Sequence, residues 1–145
     1  MSNMDIIAHF LLTIIIFGWN PFAIIGGILP DSLYLLAFIK TKGREFKTTK
    51  LFVYGERMHS FFLLPLMGMA IYGILRSSSA IIFTLSVSLH ILLDVLTHKT
   101  KGPRFLWPLK DYYSPKGLVD WSKIPVMITY YLLIAIFAII HEFAI

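Results

Sequence analysis

Residues 80–98 read AIIFTLSVSLHILLDVLTH, an apolar run interrupted by His90, Asp94 and His98. The run is long enough for a membrane-spanning helix, which needs about 20 residues. Because the three polar side chains follow one another at intervals of four, they share one helix face, with neighbours about 6 Å apart. A histidine and a carboxylate so placed can chelate a metal ion, or they can join helices through hydrogen bonds. We favour metal ligation for His90 and Asp94, whereas His98 is equally explained as marking the water boundary.

The rest of the chain is also strongly apolar. Of its 145 residues, 57% are hydrophobic and 14% are charged, and the mean hydropathy is +0.76. Soluble domains carry about 25% charged residues, so this composition excludes a soluble domain and predicts a single transmembrane domain over residues 1–145. The chain has no cysteine, which leaves imidazole, carboxylate and water as metal ligands.

Five apolar segments predict an all-α integral membrane protein, a compact bundle of four to five transmembrane helices. Two polar loops, about 40–59 and 98–123, carry every basic residue except Arg76. Basic loops stay in the cytoplasm, so this distribution predicts a multi-pass protein with its N-terminus inside and its C-terminus outside. The predicted helices are about 6–19, 22–39, 60–75, 80–96 and 124–145.

That topology brings polar residues of four segments into one leaflet. His9 and His59 fall near cytoplasmic ends, and Asp31 and His90 fall about 12 Å below that surface at 1.5 Å per residue. Ionisable groups are costly inside a bilayer, so the convergence predicts a His/Asp metal site near the cytoplasmic leaflet. The candidate ligands are His9, Asp31, His59, His90, Asp94 and His98.

Residues 26–32, GGILPDS, predict a break in the second segment. Pro30 removes a helical hydrogen bond, and the two glycines permit either close packing or a local interruption. If the helix restarts at Pro30, Asp31 lies in the first turn, where the helix dipole favours a carboxylate. The alternative is a kinked helix in which Asp31 pairs with a histidine or an arginine.

The third apolar segment opens with Arg57, Met58, His59 and Ser60. His59 is a candidate ligand, and Arg57 can hold a phosphate or a carboxylate through two hydrogen bonds. Equally, Ser60 can cap the helix while Arg57 extends to lipid headgroups.

The second basic loop mixes lysines with aromatic residues. This mixture is typical of an interfacial belt, and a lid over a substrate is the alternative interpretation. The aromatic residues are Trp107, Tyr112, Tyr113 and Trp121.

A set of short motifs follows in a definite order along the chain. They are the early His9, then Gly27–Asp31, His59-Ser60, His90–Asp94 and Phe105–Pro108. In this combination the chain resembles the bacterial family of membrane-bound metal-dependent hydrolases, which includes the LexA-regulated, YdjM-like inner-membrane proteins. The resemblance runs from His9 to Trp121.

The resemblance implies an inner-membrane protein that hydrolyses a phosphoester, because the family pattern is similar to the ligand sets of zinc-dependent phospholipase C-like enzymes. It implies His9, Asp31, His59, His90 and Asp94 as metal ligands. Many members carry a second aspartate where this chain has Leu33, and a His-Arg pair where it has residues from Tyr54 onward. His98 and Glu56 are the candidates to replace them.

The resulting hypothesis is a membrane-embedded metal-dependent hydrolase acting on a phosphoester in a lipid or lipid-linked substrate. It requires one or two divalent metal ions, with zinc first and manganese, iron or magnesium as alternatives. Asp31 or Asp94 would act as base or bridge, and Arg57 would orient the substrate. The alternatives are a non-enzymatic adaptor or stress factor with a structural metal or polar cluster, and a small ion or proton transporter. Loop charge alone does not support a nucleic-acid partner.

Overall fold

The computed structural model describes residues 6–98, 104–110, 117–120 and 123–144. Within these ranges the protein is helical and has no strand, which confirms the all-α prediction. Tyr112, Tyr113 and Trp121 lie outside the described residues. The helices are α1 (Ile6–Phe17), α2 (Pro21–Thr41), α3 (Lys50–Met58), α4 (Leu64–Leu75), α5 (Ser78–Thr97) and α6 (Ile124–Ala144).

Two of these helices, α2 and α5, are long and apolar enough to cross a membrane. Three shorter apolar helical stretches cover Ile6–Phe17, Leu64–Ile74 and Ile124–Ile140. The bundle of four to five transmembrane helices therefore stays a prediction.

The predicted break in the second segment is wrong, because α2 runs without interruption through Pro30. Helix α5 packs closely against it and hydrogen-bonds to its main chain. The Ser86 hydroxyl donates to the carbonyl oxygen of Ala23 at 2.7 Å. Gly26 permits this approach, since a Cβ there would come within 2.8 Å of the Phe83 carbonyl oxygen. The glycines thus serve close packing, and α5 supports the helix around the proline.

The first basic loop contains structure that the apolar pattern does not predict. A 3-10 turn covers Phe46–Thr48, and α3 follows at Lys50. Thr49 caps α3, since its side-chain oxygen accepts a hydrogen bond from the Phe52 N–H at 3.2 Å. The next helix begins at Leu64 rather than at Ser60.

The interior of the protein is unusually polar. Among the described residues, nine hydrophobic and eleven polar or charged residues are buried, while thirty large hydrophobic side chains are exposed. A soluble protein shows the opposite distribution, whereas a membrane protein turns apolar side chains to lipid and gathers polar groups inside. The buried hydrophobic residues include four alanines, Ala8, Ala23, Ala37 and Ala80, which let neighbouring helices approach closely.

Two small apolar clusters flank this polar interior. Leu64, Val87 and Ile91 form one cluster, against which Phe61 and Phe105 pack. Ala8 and Ile134 form the other and attach α6 to α1. The polar residues lie between them, where α1, α2, α5 and the connection from α3 to α4 meet.

Candidate metal centre

Two histidines and two aspartates from distant parts of the chain meet in the polar interior. Asp31 comes from α2, His59 follows α3, and His90 and Asp94 come from α5. One possible ligand atom from each of the four lies within 4.8 Å of the others. All four residues are at most 4% exposed. The sequence-based prediction of a His/Asp cluster is therefore confirmed.

The local structure explains how each side chain reaches the centre. His90 and Asp94 lie one turn apart on the face of α5 that packs against α2, where Asp31 lies. His59 is the C-terminal cap of α3, with φ −79° and ψ 18°, and this turn directs it inward. The ring of Tyr34 stacks on the His59 ring with centroids 5.1 Å apart, which fixes the orientation of the imidazole.

Main-chain carbonyls determine which nitrogen each histidine presents. The Nδ1 atom of His59 lies 2.8 Å from the Gly55 carbonyl oxygen, and Nδ1 of His90 lies 2.5 Å from that of Gly27. A carbonyl oxygen only accepts, so each Nδ1 carries the hydrogen and donates it. This leaves Nε2 of both rings directed into the cluster, which is the arrangement that fixes the tautomer of metal-ligating histidines.

The separations inside the cluster are those of metal ligands. Zinc binds nitrogen and oxygen at about 2.0–2.2 Å, so a tetrahedral ion holds its ligand atoms roughly 3.3–3.5 Å apart. The Nε2 atoms of His59 and His90 are 3.4 Å apart. Asp94 Oδ2 lies 3.0 Å from Nε2 of His59 and 3.4 Å from Nε2 of His90. His59, His90 and Asp94 thus lie at the spacing that a divalent metal ion requires, and one possible ligand atom of Asp31 lies within 4.8 Å of theirs.

Asp31 points to the same conclusion. Its Oδ1 lies 3.2 Å from Nε2 of His59. Its Oδ2 is buried without a hydrogen-bond partner among the described residues, and Nε2 of His90 is 3.9 Å away. A buried carboxylate oxygen left unpaired is costly, and a cation in the cluster removes that cost.

The negative charge of the two buried carboxylates also favours a bound cation. Burial lowers the pKa of His59, but its hydrogen bonds to Asp31 and Asp94 outweigh burial, and the pKa rises to about 10. Without a metal ion, a proton on His59 therefore balances part of the negative charge of the two carboxylates. The centre is built to hold positive charge, which either a proton or a metal ion can supply.

His9 extends the cluster on the other side of Asp94. Its Nε2 lies 3.3 Å from Asp94 Oδ1, and its ring stacks on that of His90 with centroids 3.6 Å apart. Asp94 therefore directs one oxygen toward His9 and the other toward His59 and His90. A carboxylate in this position can bridge two metal ions or join one ion to a histidine outside its ligand sphere.

His98 hydrogen-bonds to the main chain of Asp94, whereas the histidines of the cluster contact aspartate carboxylates. Its Nδ1 donates to the main-chain oxygen of Asp94 at 2.7 Å and lies 3.8 Å from the Asp94 carboxylate. Nδ1 is thus engaged by the main chain at the C-terminal end of α5, and ligation by His98 would fall to Nε2.

Arg57, two residues before His59 in the chain, has no acidic partner among the described residues. Its guanidinium carbon is 5.3 Å from the ring centroid of Trp107 and 6.0 Å from that of Tyr54. Its Nε is buried and makes no hydrogen bond within the described part of the chain. An arginine held between two aromatic rings keeps its donors available for an anion.

Glu56 and Leu33, the two remaining positions named from the family resemblance, are not part of the four-residue cluster. Glu56 is paired with Arg104, whose Nε lies 3.3 Å from Glu56 Oε2. It is not one of the four residues that could share a metal ion. Leu33, where many members carry a second aspartate, supplies no ligand atom.

Two residues that the sequence did not single out complete the surroundings of His59. Tyr34 stacks on its ring, and Gly55 accepts its Nδ1 hydrogen. A Cβ on Gly55 would come within 2.6 Å of the Tyr34 ring, so this contact requires glycine. Helical spacing contains the signal, since Tyr34 lies three residues after Asp31 and Gly55 lies four before His59.

The segment containing Trp107 is attached to the residues that follow His59. The Ser60 hydroxyl donates to the carbonyl oxygen of Trp107, and the Phe61 N–H donates to that of Phe105 at 3.0 Å. Part of the second basic loop is thereby attached to the connection between α3 and α4, next to His59 in the chain. The predicted interfacial belt and its alternative, a lid over a substrate, both stay predictions.

Comparison with known proteins adds the family. A family model described as YdjM inner membrane protein matches residues 18–144. No curated protein and no solved structure matches the chain. The matched range includes Asp31, His59, His90 and Asp94, and His9 precedes it. Because the match covers most of the chain, the protein belongs to the YdjM inner membrane protein family.

Proposed function

We propose that this inner-membrane protein is a metal-dependent hydrolase that cleaves a phosphoester bond in a lipid or lipid-linked substrate. The observation that carries the proposal is the convergence of two imidazole Nε2 atoms and two carboxylates at ligand spacing. Arg57, which has no acidic partner among the described residues, adds the second element that phosphoester chemistry needs.

In this proposal Asp31, His59, His90 and Asp94 hold the ion, and His9 acts through Asp94 or on a second ion. A divalent ion supplies a Lewis acid that activates water and neutralises charge on phosphoryl oxygens. The mixed nitrogen and oxygen ligands favour zinc, and manganese, iron and magnesium are the other candidates. His98 joins only if its Nε2 turns to the ion.

The protein side chains divide the remaining tasks. Both oxygens of Asp94 face histidines, so Asp94 serves as the fixed ligand or bridge. Asp31 has an oxygen without a hydrogen-bond partner among the described residues, which makes it the better acceptor for a proton from attacking water. Arg57 binds and orients the phosphoryl group through its guanidinium.

Burial of the cluster favours a second candidate function. The four side chains are only 1–6% exposed, as expected for a closed structural metal site. In that case the protein would be a non-enzymatic adaptor or stress factor, and metal binding would stabilise the fold. The two candidates differ in turnover, since only the first converts a phosphoester.

We further propose a multi-pass topology with the N-terminus inside and the C-terminus outside. The basic loops and the largely apolar exposed surface support it. Because the chain lacks cysteine, single substitutions Lys42→Cys and Arg76→Cys can be labelled in intact cells with a membrane-impermeant thiol reagent. Labelling of position 76 alone is expected, and labelling of position 42 would overturn the orientation.

The first test of function is metal content measured by mass spectrometry on protein purified in detergent. Near-stoichiometric zinc, manganese or iron is expected in the wild type. The His90→Ala/Asp94→Ala variant should be folded and lack it. Unchanged metal content in this variant would refute the centre. Metal-loaded protein is then assayed on phospholipid and lipid-linked phosphoesters. Metal binding without cleavage of any of them would refute the hydrolase and favour the structural metal site.

A further inference from the structure

Residues 40–50, from the last residues of α2 to the first residue of α3, form an exposed basic surface that we call the basic shelf. It contains five exposed cations and one acidic residue, Glu45. Within the described part of the chain, none of the five forms an ion pair. The cations are Lys40, Lys42, Arg44, Lys47 and Lys50.

The shelf is a folded structure and not a loose loop. Lys42 ends α2 in the left-handed conformation, with φ 52°, and the following Gly43 N–H donates to the Phe38 carbonyl oxygen at 2.8 Å. Phe46 is 5% exposed, and its ring lies 5.7 Å from those of both Phe38 and Phe52. Because Phe46 anchors the turn, the backbone that carries the cations is already ordered. A ligand therefore binds without the entropic cost of ordering a flexible segment.

Exposed apolar side chains border the cations directly. Phe38 is 48% exposed, Ile39 is 61% exposed and Tyr54 is 51% exposed. In a membrane protein this sequence of lipid-facing residues followed by lysines marks the level of the headgroups, where lysine amines meet phosphate.

We propose that the basic shelf binds the headgroups of anionic phospholipids. Its five cations, which form no ion pair with any described residue, complement the negative surface of a membrane leaflet, which attracts basic segments close to the bilayer. The bordering Phe38 and Ile39 favour a lipid over a free phosphate, since only a lipid also brings acyl chains to them. The interaction does not depend on the proposed hydrolysis or on metal binding.

The test uses the full chain reconstituted in phosphatidylcholine bilayers. Electron spin resonance then measures the association of spin-labelled phosphatidylglycerol and spin-labelled phosphatidylcholine with the protein. We expect phosphatidylglycerol to be preferred, and the preference should fall at high salt because the Debye length shrinks from about 10 Å at 0.1 M to about 3 Å at 1 M. Equal association of the two lipids with the wild type would overturn the proposal.

Matched variants separate the shelf from general positive charge. Lys42→Gln/Lys47→Gln should lose most of the preference, whereas Arg76→Gln/Lys123→Gln removes the same charge elsewhere and should keep it. The charge-conserving Lys42→Arg/Lys47→Arg variant should also keep it and shows that the positions tolerate substitution. An equal loss in the shelf and control variants, or a loss in the arginine variant, would refute binding at this surface.

Discussion

His59 and His90 present the same nitrogen to each other, with their Nε2 atoms 3.4 Å apart. Each is held by a hydrogen bond from Nδ1 to the carbonyl oxygen of a glycine, Gly55 for one ring and Gly27 for the other. At both glycines a Cβ would overlap a neighbouring side chain, that of Tyr34 and of Thr13 respectively. Two helix contacts that require glycine therefore fix the two imidazoles at ligand spacing.

Replacing Gly55 should disturb the centre without touching a ligand. In Gly55→Ala the new Cβ would displace the Tyr34 ring, which stacks on His59. Loss of such support around a ligating histidine typically lowers metal affinity 10–100-fold, so a decrease of roughly that size is expected. Competition with a chelator of known affinity measures it. The control is Gly73→Ala, where a Cβ would meet nothing within 4 Å, and a similar decrease there would argue against the stacking explanation.

Asp31→Asn removes one charge from the cluster and keeps the shape of the side chain. An amide oxygen is a weaker ligand than a carboxylate for a divalent ion, and the cluster would lose half of its aspartate charge. Metal content per protein, measured by mass spectrometry, should fall well below that of the wild type. Glu45→Gln, an exposed acidic residue distant from the ligand set, is the control. Full metal content in Asp31→Asn would exclude Asp31 as a ligand.

Metal binding should weaken as the pH falls. The ion needs an unprotonated Nε2 on each histidine and ionised carboxylates, so protons compete with it. Because the two aspartates raise the pKa of His59 to about 10, this histidine carries a proton at pH 7 in the absence of metal. Binding at pH 7 should therefore release at least one proton. Calorimetry in two buffers of different ionisation enthalpy measures the number, and a value near zero would contradict this account.

Ser60 joins the connection between α3 and α4 to the segment around Trp107 and should matter for stability. Its hydroxyl donates to the Trp107 carbonyl oxygen and accepts from the Phe62 N–H at 3.0 Å, and the residue is 0% exposed. Ser60→Ala leaves two partly buried groups without these hydrogen bonds, which costs about 1 kcal/mol of unfolding free energy, the lower end of the range for a buried group. Thermal unfolding in detergent should show a lower Tm. Ser88→Ala, whose hydroxyl bonds only within α5, should change the Tm much less.

Arg57 should affect turnover and leave metal binding intact. Arg57→Gln removes the guanidinium that would hold the phosphoryl group, and loss of one such donor lowers turnover roughly 10²-fold in other enzymes. Metal content should equal that of the wild type, since Arg57 is not one of the four clustered residues. Arg44→Gln, on the basic shelf, is the charge-matched control. Equal phosphoester cleavage by wild type and Arg57→Gln would exclude the substrate role.

The long helices and the His/Asp cluster can be predicted from the sequence because each depends on a local pattern of residues. Long apolar runs predict α2 and α5, and the four-residue interval places His90 and Asp94 on one face. Asp31 and His59 are predicted to join them because an ionisable side chain inside a bilayer is stable only beside polar partners. The structure brings these four together, as their placement in one leaflet predicts.

Other features of the structure depend on contacts between distant segments and cannot be predicted from a local pattern. Pro30 is a helix-breaking signal, yet α2 continues through it because α5 packs along that helix. Helix α3 is too polar to form an apolar run, so its segment was predicted as a loop. The attachment of Ser60 to Trp107 joins residues far apart in sequence, which no local pattern reveals.

The continuity of α2 has a consequence for biogenesis. In the proposed topology, α2 enters the membrane with Asp31 before His59 and His90, the partners of that carboxylate, are synthesised. An unpaired carboxylate is unfavourable in lipid, so the early intermediate gains most when α5 arrives and pairs with α2. The small residue Gly26, where α5 meets α2, permits that late and close docking. Docking of α5 against α2 is thus the assembly step in which the Asp31 carboxylate gains a partner from α5.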